Sequence, residues 1–169
     1  KPSDALIEDM KSLEGDIILL GVAGKMGPSM AMLAREAADR AGVKKRIIGV
    51  SRFSEPDTRS ELESHGVETF TADLLNEDEL AALPDAPNVL YLAGTKFGTT
   101  GKEPFTWAMN AYLPGRVAER YKKSRIVAFS TGNVYPFSPV TSGGPSEDHP
   151  TGPVGEYGQS CLGRERIFQ

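Results

Sequence analysis

The sequence predicts an α/β fold, a doubly wound parallel sheet with helices on both faces. Two observations predict it: apolar runs of strand length recur five times along the chain, and helical patterns lie between them. Strand, helix and strand joined by short connections imply right-handed crossovers and parallel strands. A chain of 169 residues, 39% of them hydrophobic, can bury one substantial core but not two. We therefore expect a single domain over residues 1–169.

The five apolar runs predict buried strands, because the strands of a parallel sheet are covered on both faces and are rich in apolar residues. They lie at 16–21, 45–51, 67–72, 88–94 and 124–131.

The segments between the runs carry helix signals. Apolar residues at spacings of three and four predict a helix over 26–41, with Pro28 in its first turn: Met26, Met30, Leu33, Ala37 and Ala41. Two further helix starts are predicted by a capping residue followed three positions later by an acidic residue: Ser54 with Asp57, and Asn76 with Glu79. A longer helix is expected over about 104–122, and residues 135–155 predict a long loop rich in Pro, Gly and Ser.

Composition restricts the kind of partner. A net charge of −4 gives no basic surface for nucleic acid or an anionic membrane, and no apolar run approaches the roughly 20 residues that span a bilayer. One cysteine excludes an internal disulfide, and no group of residues has metal-binding spacing. We expect a cytoplasmic protein with a small-molecule partner and no metal. The chain starts without Met and stops within a helical pattern, which indicates a fragment of a longer chain.

A glycine turn, GVAGKMG at 21–27, follows the first strand and opens the first long helix. Gly21 would permit a tight turn, Gly24 would let a pyrophosphate approach the backbone, and Gly27 would let helix and strand pack closely. This context favours a Rossmann-type dinucleotide site over simple turn glycines. Lys25 either adds positive charge near the phosphates or is solvated.

The end of the second strand indicates which dinucleotide binds. An acidic residue there would bind the adenosine ribose hydroxyls, but this chain has Ser51 and Arg52 instead. A hydroxyl and a guanidinium suit a phosphate monoester, so NADP is preferred and NAD is the alternative. The competing interpretation of Arg52 is an ordinary surface arginine.

Six segments in order resemble the extended short-chain dehydrogenase/reductase superfamily, the branch of NAD(P)-dependent epimerases, dehydratases and reductases. They are GVAGKMG, TADLL (71–75), YLAG (91–94), TWAMN (106–110), STGNVYP (130–136) and PVGEYGQSCLGRE (153–165). The resemblance implies cofactor-binding roles for Asp73, Leu74, Ala93 and Gly94. It implies Thr131 and Tyr157 as catalytic hydroxyls, and Asn110 as a structural and proton-relay residue. It also allows a homodimer through the helices around 104–122 and 155–169.

The chain departs from this family at Cys161, where the motif has a lysine. A lysine four residues after Tyr157 lies on the same helix face, and its charge favours the phenolate. Cysteine supplies neither charge nor reach, and a thiolate there would raise the pKa of the tyrosine. Arg164, about 10 Å further along the helix axis, is expected to be a poor substitute, while Lys96 or Lys102 could enter from the loop after the fourth strand. The simplest interpretation of Cys161 is a small buried residue.

Two functions follow. The first is an NADP-preferring oxidoreductase of the epimerase/dehydratase kind, acting on a carbonyl or hydroxyl of a sugar nucleotide or related molecule with weakened acid/base chemistry. The alternative is a dinucleotide-binding sensor or regulatory domain without turnover. The second half that builds most of the family's substrate pocket is absent from these 169 residues.

Overall fold

The computed structural model describes residues 1–96, 98 and 100–169. These residues form two compact units. The first comprises residues 1–93 and 120–127, and the second comprises residues 94–119 and 128–169. Each unit is described by itself below, and the expectation of a single domain stays a prediction.

A five-stranded sheet has the order β3-β2-β1-β4-β5. Its strands are β1 (Ile17–Leu20), β2 (Ile47–Ser51), β3 (Glu68–Thr71), β4 (Asn88–Tyr91) and β5 (Arg125–Ala128). β1 pairs in parallel with both β2 and β4, and β2 pairs in parallel with β3. The strand order reverses direction at β1, as it does in a doubly wound fold. The prediction of a parallel sheet with flanking helices is therefore confirmed.

Burial differs between the inner and the outer strands. Every residue of β1 is buried, whereas every residue of β3 and β5 is exposed or half-buried. Val127 in β5 is 56% exposed. The prediction of five buried strands is wrong for β3 and β5, because an outer strand has a neighbouring strand on one side only.

Seven α-helices lie among the described residues, and five of them fall between strands in the chain. They are α1 (Asp4–Ser12), α2 (Gly27–Ala41), α3 (Pro56–Ser64), α4 (Glu77–Ala82), α5 (Glu103–Trp107), α6 (Leu113–Arg120) and α7 (Gly155–Phe168). A π-helical turn, Ala108–Tyr112, joins α5 to α6, and 3₁₀ turns cover Gly132–Val134 and Val140–Ser142. The long helix expected over 104–122 is thus interrupted, and the loop expected over 135–155 holds one short turn.

Three helix starts differ in how well the sequence predicted them. Asn76 caps α4 as expected, since its side chain accepts hydrogen bonds from the Asp78 and Glu79 amides. The expected cap at Ser54 is wrong: α3 begins at Pro56 with Glu55 as its N-cap, because the fixed φ of proline suits a first helical residue. α1 was not predicted, although Ser3 caps it.

The main hydrophobic core lies in the first unit. It joins α1 and α2 to the inner strands through ten buried residues, Met10, Ile17, Leu19, Val22, Ala31, Ala34, Ala37, Ile47, Leu62 and Val67. Gly49 in β2 makes room for it, since a Cβ there would lie 2.9 Å from Val22 Cγ1. No helix among the described residues is long and apolar enough to cross a membrane.

Candidate functional site

Gly21 ends the β1 segment in a conformation that favours glycine. Its φ is +89°, and an added Cβ would lie 2.7 Å from the Ala93 amide nitrogen. Its own amide donates to the Val50 carbonyl at 2.9 Å. A side chain at this position would therefore strain the backbone and collide with the segment after β4.

Gly27 and Gly24 differ in how much space surrounds them. A Cβ on Gly27, the first residue of α2, would lie 2.0 Å from the Val22 carbonyl oxygen, so the helix start packs directly on the turn. At the exposed Gly24, the nearest atom to an added Cβ is the Gly21 carbonyl oxygen at 3.4 Å. The backbone at Gly24 is thus open beside a helix N-terminus, which fits an approaching pyrophosphate.

The residues expected at the adenosine end lie on the connections after β2 and β3. Ser51 is the half-buried last residue of β2, and Arg52 and Lys25 are exposed. Asp73 is half-buried, with its Oδ1 accepting from the Leu75 amide at 3.0 Å. Leu74 is buried. A carboxylate, a guanidinium and an apolar side chain are available there for an adenosine moiety.

Thr131 lies near Tyr157 in the second unit, and its hydroxyl donates to Asn133 Oδ1 at 3.1 Å. Thr131 caps the 3₁₀ turn that follows β5, and its Oγ1 accepts from the Asn133 amide at 3.3 Å. Tyr157 lies in the first turn of α7 and is half-buried. The structure thus brings together the two hydroxyls that the sequence motifs implied.

Gly158 explains how α7 comes so close to the 3₁₀ turn. A Cβ on Gly158 would lie 2.6 Å from the Asn133 carbonyl oxygen and 3.1 Å from Pro153 Cβ. Since a side chain would push α7 away, the glycine after Tyr157 sets the distance between the two hydroxyls. Sequence reasoning gave Gly158 no role, although it follows the tyrosine directly in the motif.

Cys161 is fully buried and contacts two residues of α7. Its Sγ accepts a hydrogen bond of 3.0 Å from Arg164 Nη2, and its side chain lies near that of Tyr157. The burial agrees with the interpretation of Cys161 as a small buried residue. Arg164 lies about 10 Å from Tyr157 along the helix axis, and its long side chain closes part of that distance by folding back to Cys161.

The pKa values of the tyrosine and the thiol are both raised. Burial raises the pKa of Tyr157 most; the hydrogen bond with Thr131 and the charge of Arg164 lower it, and Cys161 raises it. Burial also raises the pKa of Cys161, more than Arg164 and Tyr157 lower it. At neutral pH both groups therefore carry their protons.

Asn110 holds the loop after β4 against α7. It is fully buried, its Oδ1 accepts from the Thr95 amide at 2.9 Å, and its Nδ2 donates to the Thr95 carbonyl at 2.9 Å and to Ser160 Oγ at 3.1 Å. It lies in the π-helical turn, a distortion that is frequent at functional sites. These contacts give Asn110 the structural part of its predicted role, and the proton relay stays a prediction.

Lys96, which the sequence offered as a possible cation, lies near Tyr157, and Ser160 is a neighbour of Tyr157 that only the structure indicated. Lys96 Nζ lies 6.0 Å from the centroid of the Tyr157 ring, and Ser160 Oγ donates to the Tyr157 carbonyl at 3.0 Å. Gly94 is exposed, and a Cβ there would lie 3.0 Å from Arg164 Nη1. The helical spacing of 157, 161 and 164 was the available signal for Arg164, since residues four and seven apart share a face.

The arrangement in the second unit can bind and polarise a carbonyl oxygen. Two neighbouring hydroxyl groups can both donate to an oxyanion without being ionised. A tyrosine that is protonated at neutral pH can also deliver its proton to that oxygen. The geometry therefore suits proton donation better than proton abstraction.

Comparison with known proteins agrees with this fold. The model of the NAD dependent epimerase/dehydratase family matches residues 17–169. Among curated proteins, none matches the chain.

Several solved structures share the fold. The UDP-glucuronic acid 4-epimerase of Bacillus cereus in complex with NAD is 20% identical, with a TM-score of 0.66 over 90% of this chain and 50% of that chain. The Bordetella bronchiseptica enzyme WbmG in complex with NAD and UDP is 21% identical, with a TM-score of 0.71 over 92% of this chain and 49% of that chain. A short-chain dehydrogenase/reductase superfamily protein from Agrobacterium tumefaciens with bound NAD is 25% identical, with a TM-score of 0.67 over 90% and 43%.

The chain spans about half the length of the solved structures it matches. The family match covers nearly the whole chain, and it includes the glycine turn, Thr131 and Tyr157. From this match we conclude that the chain belongs to the NAD-dependent epimerase/dehydratase family.

Proposed function

We propose that the chain is the dinucleotide-binding part of an NAD(P)-dependent oxidoreductase that acts on a carbonyl or hydroxyl of a sugar nucleotide or related small molecule. The observation that carries the proposal is the close packing of α7, which holds Tyr157, on the 3₁₀ turn that Thr131 caps, where a Cβ on Gly158 would lie 2.6 Å from the Asn133 carbonyl oxygen. The hydroxyl groups of Thr131 and Tyr157 can both bind one oxygen atom of a substrate, a role that packing alone does not require.

The sugar-nucleotide part of the proposal draws on the solved relatives. The Bacillus cereus protein is a UDP-glucuronic acid 4-epimerase, and the Bordetella protein is in complex with UDP. Family membership and these relatives support an enzyme whose substrate carries a sugar or nucleotide.

The residues of the glycine turn would hold the pyrophosphate of the cofactor. Gly24 presents open backbone at the start of α2, and the packing of Gly27 on Val22 keeps the helix N-terminus close to the turn. When bound, a nicotinamide dinucleotide supplies or accepts a hydride. Thr131 would orient the substrate oxygen, and Tyr157 would donate its proton to that oxygen.

For the cofactor we propose a preference for NADP over NAD. The exposed Arg52, next to Ser51 at the end of β2, can bind a 2′-phosphate, and neither residue carries the acidic group that would repel one. Three of the solved relatives contain NAD, so NAD is the alternative.

A second candidate function is a dinucleotide-binding sensor without turnover. One observation favours it: Tyr157 is held protonated by burial, and Cys161 offers no charge to ionise it. Such a protein would keep the glycine turn and lose the reaction.

Fluorescence titration with NADPH and NADH tests the proposal first. We expect both to bind, NADPH more tightly, with Arg52→Ala weakening NADPH by about tenfold and NADH much less. Gly24→Ala should weaken both, since its added methyl group occupies the phosphate approach. Equal losses for the two cofactors in Arg52→Ala would overturn the NADP preference, and absence of binding would overturn the whole proposal.

Turnover then separates the enzyme from the sensor. Sugar nucleotides offered with the bound cofactor should give a change in nicotinamide absorbance that Tyr157→Phe abolishes. A signal that Tyr157→Phe leaves intact would overturn the proposed role of Tyr157, whereas silence in an unmodified protein that binds NADPH would favour the sensor. The homodimer, the cytoplasmic location and the lack of nucleic-acid binding stay predictions.

A further inference from the structure

Arg164 is a buried cation on the helix face that carries Tyr157 and Cys161. It is 6% exposed, and its Nη2 donates to Cys161 Sγ at 3.0 Å. Burying a guanidinium costs free energy unless its charge finds a compensating environment. Arg164 therefore places a buried positive charge next to Tyr157 and Cys161, the two proposed catalytic positions of α7.

The position of the guanidinium depends on two small residues. The short side chain of Cys161 leaves space that Arg164 fills from the next turn of α7. Gly94 leaves space on the other side, because a Cβ there would lie 3.0 Å from Arg164 Nη1 and 3.1 Å from Asn110 Oδ1. A larger residue at 94 or 161 would displace the guanidinium.

We propose that Arg164 supplies Tyr157 with the positive charge that the family's motif places on a lysine at position 161, and that it acts through Cys161 as a positioning residue. The inference rests on the proposed function, since a charge that favours ionised Tyr157 matters for proton transfer. The Arg164 guanidinium belongs to a residue one helical turn further from Tyr157 than the family's lysine, and the Cys161 thiol fills the space between Arg164 and Tyr157.

The electrostatics around Tyr157 support this assignment. Arg164 lowers the pKa of Tyr157 while burial raises it. The other charged or titratable groups facing the site are Lys96 from the loop after β4, Cys161, and Glu165, which raises the pKa of Cys161. Lys96 is exposed, so solvent screens its charge more than it screens the buried Arg164.

NMR titration of labelled tyrosine side chains in the cofactor-free protein tests the proposal. Tyr157→Phe assigns the Tyr157 signal among the five tyrosines. In Arg164→Gln the titration of Tyr157 should shift to higher pH, and in Arg164→Lys it should stay near that of the unmodified protein. The matched control Lys96→Gln should shift it less than Arg164→Gln does.

A purely structural role for Arg164 predicts a different result. The proposal is overturned if folded Arg164→Gln leaves the Tyr157 titration unchanged, or if Arg164→Lys shifts it as far as Arg164→Gln. Circular dichroism checks that each variant is folded. Arg164→Met, an apolar side chain of similar reach, replaces Arg164→Gln if the latter does not fold.

A measurement on the unmodified protein covers the case in which neither neutral variant folds. The side-chain NMR signals of Arg164 should move at the same pH midpoint as the Tyr157 signal, and their failure to move would overturn the proposal. The cofactor is absent from both experiments, so their outcome is independent of NADPH binding, which tests the proposed function separately.

Discussion

Asn110 Nδ2 and Ser160 Oγ lie 3.1 Å apart in a buried hydrogen bond between residues 50 positions apart in sequence. Asn110 also holds both backbone polar groups of Thr95. This one amide therefore joins the loop after β4, the π-helical turn and α7, the three segments that surround Tyr157 in the second unit.

We expect Asn110→Ala to lower the free energy of unfolding by about 2–3 kcal/mol, because it leaves the amide and carbonyl of Thr95 without their partner. Ser160→Ala should cost about 1 kcal/mol. The double variant should cost less than the two single variants together, since both remove the same hydrogen bond. Denaturant unfolding measures all three, and strictly additive costs would show that the two side chains do not interact.

Gly158→Ala should disturb the contact between Thr131 and Tyr157. The new methyl group would collide with the Asn133 carbonyl oxygen, at 2.6 Å, so α7 must move. We expect a loss of about 1–3 kcal/mol in stability and a shift of the Tyr157 titration to higher pH, because the hydrogen bond with Thr131 lowers its pKa.

The matched control for Gly158→Ala is Gly163→Ala in the same helix. A Cβ on Gly163 makes only ordinary contact, 3.5 Å from Ala111 Cβ. Because alanine is the better helix former, Gly163→Ala should leave stability unchanged or raise it by up to about 1 kcal/mol. Equal destabilisation by the two substitutions would contradict the steric explanation.

Gly27→Ala should destabilise the first unit severely, by about 3 kcal/mol or more, because its methyl group would lie 2.0 Å from the Val22 carbonyl oxygen. Gly115→Ala in α6 is the control, since an added Cβ there meets nothing within 4 Å. Thermal unfolding should show a lower midpoint for the first variant and an equal or higher one for the second. A tolerated Gly27→Ala would mean that α2 can move away from the turn.

Tyr121 should make stability fall in alkaline solution. Burial raises the pKa of Tyr121 to about 12, above the value of about 10 in an unfolded chain. Between these values the unfolded chain binds fewer protons, so stability is complete below about pH 10 and falls as the pH rises towards 12. The loss should reach at most about 3 kcal/mol, since each pH unit between the two pKa values is worth about 1.4 kcal/mol.

Tyr121→Phe isolates this contribution. The phenylalanine variant loses the hydrogen bond that the hydroxyl donates to the Pro84 carbonyl, at 3.1 Å, so it should be less stable at neutral pH. Its stability should fall less steeply than that of the unmodified protein above pH 10. Urea unfolding at a series of pH values measures the difference, and parallel curves would contradict the assignment to Tyr121.

Local patterns were enough to predict the sheet and the glycine turn. Continuous apolar runs mark strands that are covered on both sides, as in β1, and the position of Gly21, Gly24 and Gly27 between a strand and a helix marks the turn. The exposure of β3 and β5 could not be predicted in this way, because it depends on which strands end at the edges of the sheet.

The sequence by itself determined the order of strands and helices, the position of the glycine turn and the presence of a cysteine where the family's motif has a lysine. Only the tertiary structure decided that Arg164 turns inward to Cys161 and that Asn110 joins Thr95 to Ser160. Secondary structure depends on neighbours within a few residues, which the sequence shows directly. The position of a long side chain depends on space left by residues distant in sequence, such as Gly94, and that space exists only once the chain has folded.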